Sequence, residues 1–138
     1  MASNANFISQ FVMGGDPCTY KESGELQAEM SKLTHPARQD VDWRQVEKLS
    51  LALFRQNGVE LQTLVCYVLA ITRRQGLAGM ADGLGSLDIL LQRWADFWPV
   101  QVHSRISLLS WVTEKMQQAL RTLDICLLYT SDAADEED

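Results

Sequence analysis

Residues 76–99 read GLAGMADGLGSLDILLQRWADFWP, and this stretch decides the fold class. Leu84, Leu87, Leu91, Trp94 and Trp98 recur three and four residues apart, with Leu90 and Phe97 beside them. That spacing marks one face of a helix rather than the alternation of a strand. Pro99 is expected to close the helix. The glycines Gly79, Gly83 and Gly85 form no phosphate loop, because no Gly-Lys-Ser/Thr follows. They form no dinucleotide fingerprint either, because no strand precedes them. Small residues let a second helix approach closely, so the run predicts tight packing or an irregular helix start, with ligand contact as the alternative. A glycine inside a helix costs up to ~1 kcal/mol against alanine. Retaining several points to a steric demand for no side chain.

Outward from this stretch the same period recurs. Leu26, Met30 and Leu33 predict a helix over Glu22 to Leu33, ended by Thr34-His35-Pro36. Asp42 is an expected N-cap with Gln45 three residues on. Val46, Leu49, Leu53 and Phe54 continue as the stripe of that helix, and Asn57-Gly58 stops it. Val59 to Arg74 is apolar around much of its girth and predicts a central helix. Ile106, Leu109, Val112, Met116, Leu120 and Leu123 predict a last helix beginning near Val102. Residues 1–16 read as a loose, flexible segment whose Phe7, Ile8, Phe11 and Val12 are free to dock on a neighbour. No segment sustains strand alternation. The fold class is all-α, a compact bundle of about five helices with an irregular N-terminal segment.

The chain of 138 residues has room for one domain. Its 12 basic and 18 acidic side chains give a net charge of −6, so there is no basic surplus for nucleic acid. Cys18, Cys66 and Cys126 cannot pair fully, and their spacing misses the short metal-ligand patterns. His35 and His103 belong to no ligand cluster and read as surface or capping residues. Asp82 and Asp88 are six residues apart and share no helix face well. No metal, cofactor or catalytic set emerges, and the chain reads as a non-enzyme. No run of 18 apolar residues and no signal peptide is present. The aromatic cluster Trp94, Phe97, Trp98 and Trp111 is either core or a partner anchor. A helix-turn-helix-like nucleic-acid binder would need a basic recognition helix, and residues 62–71 are apolar.

The segments Asp42-Trp43-Arg44-Gln45-Val46, Gln75-Gly76-Leu77-Ala78-Gly79-Met80-Ala81-Asp82-Gly83-Leu84 and Trp94-Ala95-Asp96-Phe97-Trp98-Pro99 together resemble the ImpA N-terminal domain. That domain marks TssA-type proteins of the bacterial type VI secretion system. Met80 stands where leucine is usual, and Val59-Glu60-Leu61-Gln62 where many members carry Lys-Asp-Leu-Arg. Residues 11–17, 33–38, 55–62 and 102–105 are more similar to the VasL branch. The resemblance implies a cytoplasmic, non-enzymatic component of the contractile machine without a cofactor. It implies baseplate or sheath–tube proteins as partners, in assembly, capping or, for VasL-like and TagA-like relatives, distal anchoring of the sheath. Ring formation, homo-oligomers and inner-membrane attachment would come from a C-terminal region beyond this sequence. The motif residues Asp42, Trp43, Leu77, Gly79, Gly83, Leu84, Trp94, Trp98 and Pro99 are expected to be mostly scaffold, with the glycine-rich turn a possible contact. The rival is a stand-alone helical adaptor.

Residues 126–138 are a different kind of text. CLLYTSDAADEED resembles the translation of a sequencing-library adapter, whose DNA spells Cys126 to Glu136 in order. The helical domain is therefore expected over 17–125, truncated from a longer protein. Asp132, Asp135, Glu136, Glu137 and Asp138 lie in this tail, and removing these five acids takes the net charge from −6 to −1. Adapter-free sequencing across the codon for Ile125 is expected to read on into a continued frame. A gene that ends in CLLYTSDAADEED would make the acidic tail real.

Overall fold

The computed structural model describes residues 4–34 and 40–137, with side chains for 7–34 and 40–122. His35, Pro36 and the tail side chains lie outside the described residues. Five helices follow in order: α1 (Lys21–Ser31), α2 (Trp43–Gln56), α3 (Leu61–Gln75), α4 (Leu77–Leu91) and α5 (Val102–Glu137). Two short 3-10 helices, Asn4–Gln10 and Pro17–Thr19, precede them. Among the described residues there is no strand, only one isolated bridge between Met13 and Val59.

Helix α3 is the axis. From Leu61 to Thr72 only Gln62 escapes full burial. Helices α2, α4 and α5 all pack on it, and α1 packs on α2. Its buried Thr72 hydroxyl donates to the Val68 carbonyl one turn back at 2.8 Å, and Ser50 in α2 does the same to Val46 at 2.8 Å. These hydroxyls are satisfied within their own helices, so apolar shape carries the packing between helices.

The local signals at the helix ends act as expected. The Asp42 carboxylate accepts from the Gln45 amide at 3.2 Å and caps α2. Glu29 ties α1 to that cap by accepting from the Asp42 amide at 2.8 Å. Gly58, at φ +106°, ends α2, where a Cβ would meet the Val12 carbonyl at 2.6 Å. Glu60 caps α3 by accepting from the Thr63 amide at 3.0 Å. The α3–α4 corner turns on Gly76 alone, at φ +67°.

Helix α4 begins regularly right after that corner, so the glycine run lies inside the helix. A Cβ on Gly79 would come within 2.0 Å of the Ile71 carbonyl oxygen, and one on Gly83 within 2.7 Å of Val68 Cγ1. Both glycines are buried against α3. The helix ends at Leu91, not at Pro99 as its periodicity predicts. Beyond it, turns carry Trp94 to Phe97, and the Trp98–Pro99 peptide is cis.

The segment before α1 is a docked strap from Phe7 onward. Ile8 is 1% exposed. Phe7 packs on Tyr67 with ring centroids 5.4 Å apart, and Phe11 on Phe54 at 5.7 Å. Val12 points outward.

Gly79→Ala is expected to destabilise the domain by about 3 kcal/mol or more, because the carbonyl it meets is part of a helix backbone. Gly83→Ala is expected to cost about 1 kcal/mol, since Val68 can shift and alanine favours the helix. Thermal melts followed by circular dichroism check both. Equal melting temperatures for Gly79→Ala and the parent would refute the close-packing account.

Candidate partner-docking groove

Helices α1 and α5 flank α3 without extended contact with each other. The gap between them is a hollow of about 480 Å³. Its floor is Gln62, Val65 and Cys66 of α3. One wall is Gln27, Met30 and Ser31 of α1 with Thr34 of the turn after it, and the other is Ser107, Leu108 and Trp111 of α5. A second hollow of about 400 Å³ shares Gln62, Ser107 and Leu108 and runs to Trp98, Pro99, Gln101, His103 and Ser104. Both walls repeat every three or four residues, the signature of helix faces. The helical part of the α1 wall, Gln27 to Ser31, is about 6 Å long at ~1.5 Å per residue, or one turn. Among the described residues no Asp, Glu, Lys or Arg lines either hollow.

One buried cation builds the far end. Arg105, in the first turn of α5, is 3% exposed. Its guanidinium donates to the Phe97 carbonyl at 2.6 Å, the Pro99 carbonyl at 2.5 Å and the Trp94 carbonyl. It lies over the Phe97 ring at 3.9 Å and the Trp94 ring at 4.5 Å. Fixed in one plane, its five donors suit several carbonyls at once. These bonds account for the early end of α4: they hold Trp94, Phe97 and Pro99 in a tight turn around a cation, where a continued helix would have run straight.

The motif residues separate into four places. Asp42 and Trp43 start α2, with the Arg73 guanidinium 5.7 Å over the Trp43 ring. Gly79 and Gly83 face α3. Leu77 and Leu84 point outward, 50% and 52% exposed. Trp94, Trp98 and Pro99 meet at the Arg105 corner, and only Trp98 and Pro99 also reach the groove. The aromatic cluster divides likewise: Phe97 is fully buried edge-on to Trp94 at 5.7 Å, while Trp111 stands in the groove wall. Exposed His103 sits at the start of α5. Among the described residues no group of three or more His, Cys, Asp or Glu could hold a metal. Nor is any helix there long and apolar enough to cross a membrane. Helix α3 is buried too completely to enter a DNA groove as a recognition helix.

A family model described as ImpA, N-terminal, type VI secretion system matches residues 8–114. The chain belongs to that family. The match opens at Ile8, the buried anchor of the strap, and closes in α5 just past Trp111. Both hollows and the Arg105 corner therefore lie inside the ImpA N-terminal domain. The family is a structural and adaptor family of the secretion system and not a known enzyme family. No curated protein and no solved structure matches the chain.

Sequence reading did not single out the groove floor, Glu60 or Arg105 as site residues. Glu60 carried a legible signal, a capping residue three before Thr63 and just after the Asn57-Gly58 stop. Arg105 carried none, because its partners are carbonyls 6 to 11 residues back in the ImpA N-terminal domain.

Arg105→Ala is expected to cost about 2–4 kcal/mol, since three corner carbonyls lose their donors at once. Arg105→Lys, with a single head group, is expected to recover only part of it. Denaturant midpoints and the fluorescence of Trp94 and Trp98 check this, and a parent-like midpoint for the alanine variant would refute the role.

Proposed function

We propose that this ImpA N-terminal domain is a non-enzymatic docking module that receives a helix from another type VI secretion protein between α1 and α5. The observation that carries the reading is the gap itself. Two helix faces over a helix floor leave a hollow of about 480 Å³, lined by half-buried Leu108 and Trp111 and the buried Met30 and Val65, with polar side chains between them. Helix-in-groove recognition uses such walls, reading partner residues at three- and four-residue spacing. Trp111 is the expected anchor, since half-buried tryptophans dominate interface energies. The uncharged lining favours a partner face of leucine, alanine and serine over one of phosphate or charge.

Family membership supports a partner from the secretion machine. The finer reading is a baseplate or sheath–tube protein engaged in the cytoplasm during assembly, capping or distal anchoring of the sheath. The segments similar to the VasL branch favour the distal end. In this reading homo-oligomers and any inner-membrane attachment arise through a region C-terminal to this sequence.

The test places one charge in the groove. Ser107→Glu puts a carboxylate on an exposed wall position, and Trp111→Ala removes the anchor. With the full-length protein as bait, purified baseplate and sheath–tube proteins are expected to bind the parent and to bind Ser107→Glu at least tenfold more weakly at unchanged melting temperature. Undiminished binding by both variants would remove the groove from the interface. Binding of none of these proteins by the parent would overturn the reading.

A further inference from the structure

The start of α3 is tied on two sides. On one, the Val59 amide donates to the Val12 carbonyl and the Gly14 amide to the Val59 carbonyl, both at 2.8 Å. On the other, the Leu61 amide donates to the Trp98 carbonyl at 2.9 Å. Glu60 sits between these ties with 0% exposure. Its Oε1 caps α3, but its Oε2 has no hydrogen-bond partner among the described residues. A carboxylate buried with one oxygen unpaired is costly unless it is neutral.

Among the described residues the surroundings offer it no cation. The strap presents Asp16 and Cys18, and α3 presents Cys66. In the corner, Arg93 and Asp96 are exposed and pair with each other at 3.2 Å. Arg105 spends its donors on carbonyls. Asp16 is a like charge.

We propose that Glu60 is a protonation-sensitive latch: neutral, it lets the start of α3 hold the strap, and ionised, it releases the strap and uncovers the Phe54–Tyr67 rings. The strap is the part that yields: it is held by its packing on α4, a few rings, the two backbone bonds at Val59 and one from the Asn57 side chain to the Gly15 carbonyl, whereas α3 is enclosed by α2, α4 and α5 along its whole length. Its release both hydrates Oε2 and carries Asp16 away. Phe7, Ile8 and Phe11 would then leave an apolar surface open to a partner.

Burial pushes the Glu60 carboxyl up to about 7, against 4.5 for the solvated group. The closed state thus binds the proton more tightly than the open one. Strap closure is fully favoured below about 4.5 and is lost as pH rises through about 7.

Hydrogen exchange on the full chain tests this, with rates corrected for the intrinsic pH effect. Protection of the Gly14 and Val59 amides is expected to fall tenfold to a hundredfold, relative to α3 core amides, between about pH 5 and 8. Glu60→Gln keeps the cap oxygen and cannot ionise, so its protection is expected to be flat with pH. Asp16→Asn is expected to retain most of the fall. Protection independent of pH in the parent, or an equal fall in Glu60→Gln, would overturn the latch. If Glu60→Gln does not fold, the carboxyl carbon shift of Glu60 in the parent decides. A midpoint near 7 that coincides with the loss of Gly14 and Val59 protection upholds the latch; a midpoint in the usual carboxylate range, or one without that loss, overturns it.

Discussion

The bundle depends on how closely α4 lies against α3. At Gly79 there is no room for a single methyl group, because the Ile71 carbonyl stands where it would be. That approach brings the inner face of α4 onto α3 and lets Ser86, Leu87 and Leu90 bury. With α2 on another side and α5 on a third, α3 becomes the interior of the molecule. Burying so many Leu, Val and Ile side chains at ~25 cal/mol per Å² is the main stabilising term. Helix α1 is the outlier, since it packs on α2 rather than along α3. The groove is the hollow left between α1 and α5, floored by buried Val65 and Cys66 and half-buried Gln62.

Much of this was legible because it is local. Asp42 and Gly76 act through neighbours within four residues, and Asn57-Gly58 ends α2 through the Leu53 carbonyl; each stands where cap and turn chemistry put it. The apolar stripes of α1, α2 and α3 were legible for the same reason, since burial follows helical period. The glycine run was legible as a demand for close packing, and the Ile71 carbonyl supplies the cause.

Legibility failed where partners are distant or unusual in kind. Periodicity carried α4 on to Pro99, yet a buried arginine from the next helix takes the carbonyls of that segment and folds it into a turn. Nothing in the pattern of apolar residues can report such a bond. The groove was also invisible, since it arises from two helices failing to meet. Family resemblance named the right domain and nine motif residues, expected to be mostly scaffold, of which Trp98 and Pro99 line the second hollow. The glycines turn inward to α3, and the leucines face away from the groove.

The lack of Asp, Glu, Lys and Arg among the described residues of the groove has a kinetic meaning. A partner approaching it feels no local field to steer it, so encounter would proceed at the unsteered rate of about 10⁵–10⁶ M⁻¹s⁻¹. Salt would change that rate little. Occupancy would then be governed by how long the partner stays and by how concentrated it is nearby. Such a site is slow to find a dilute protein in bulk. It fills readily once both partners are already held on the same assembly.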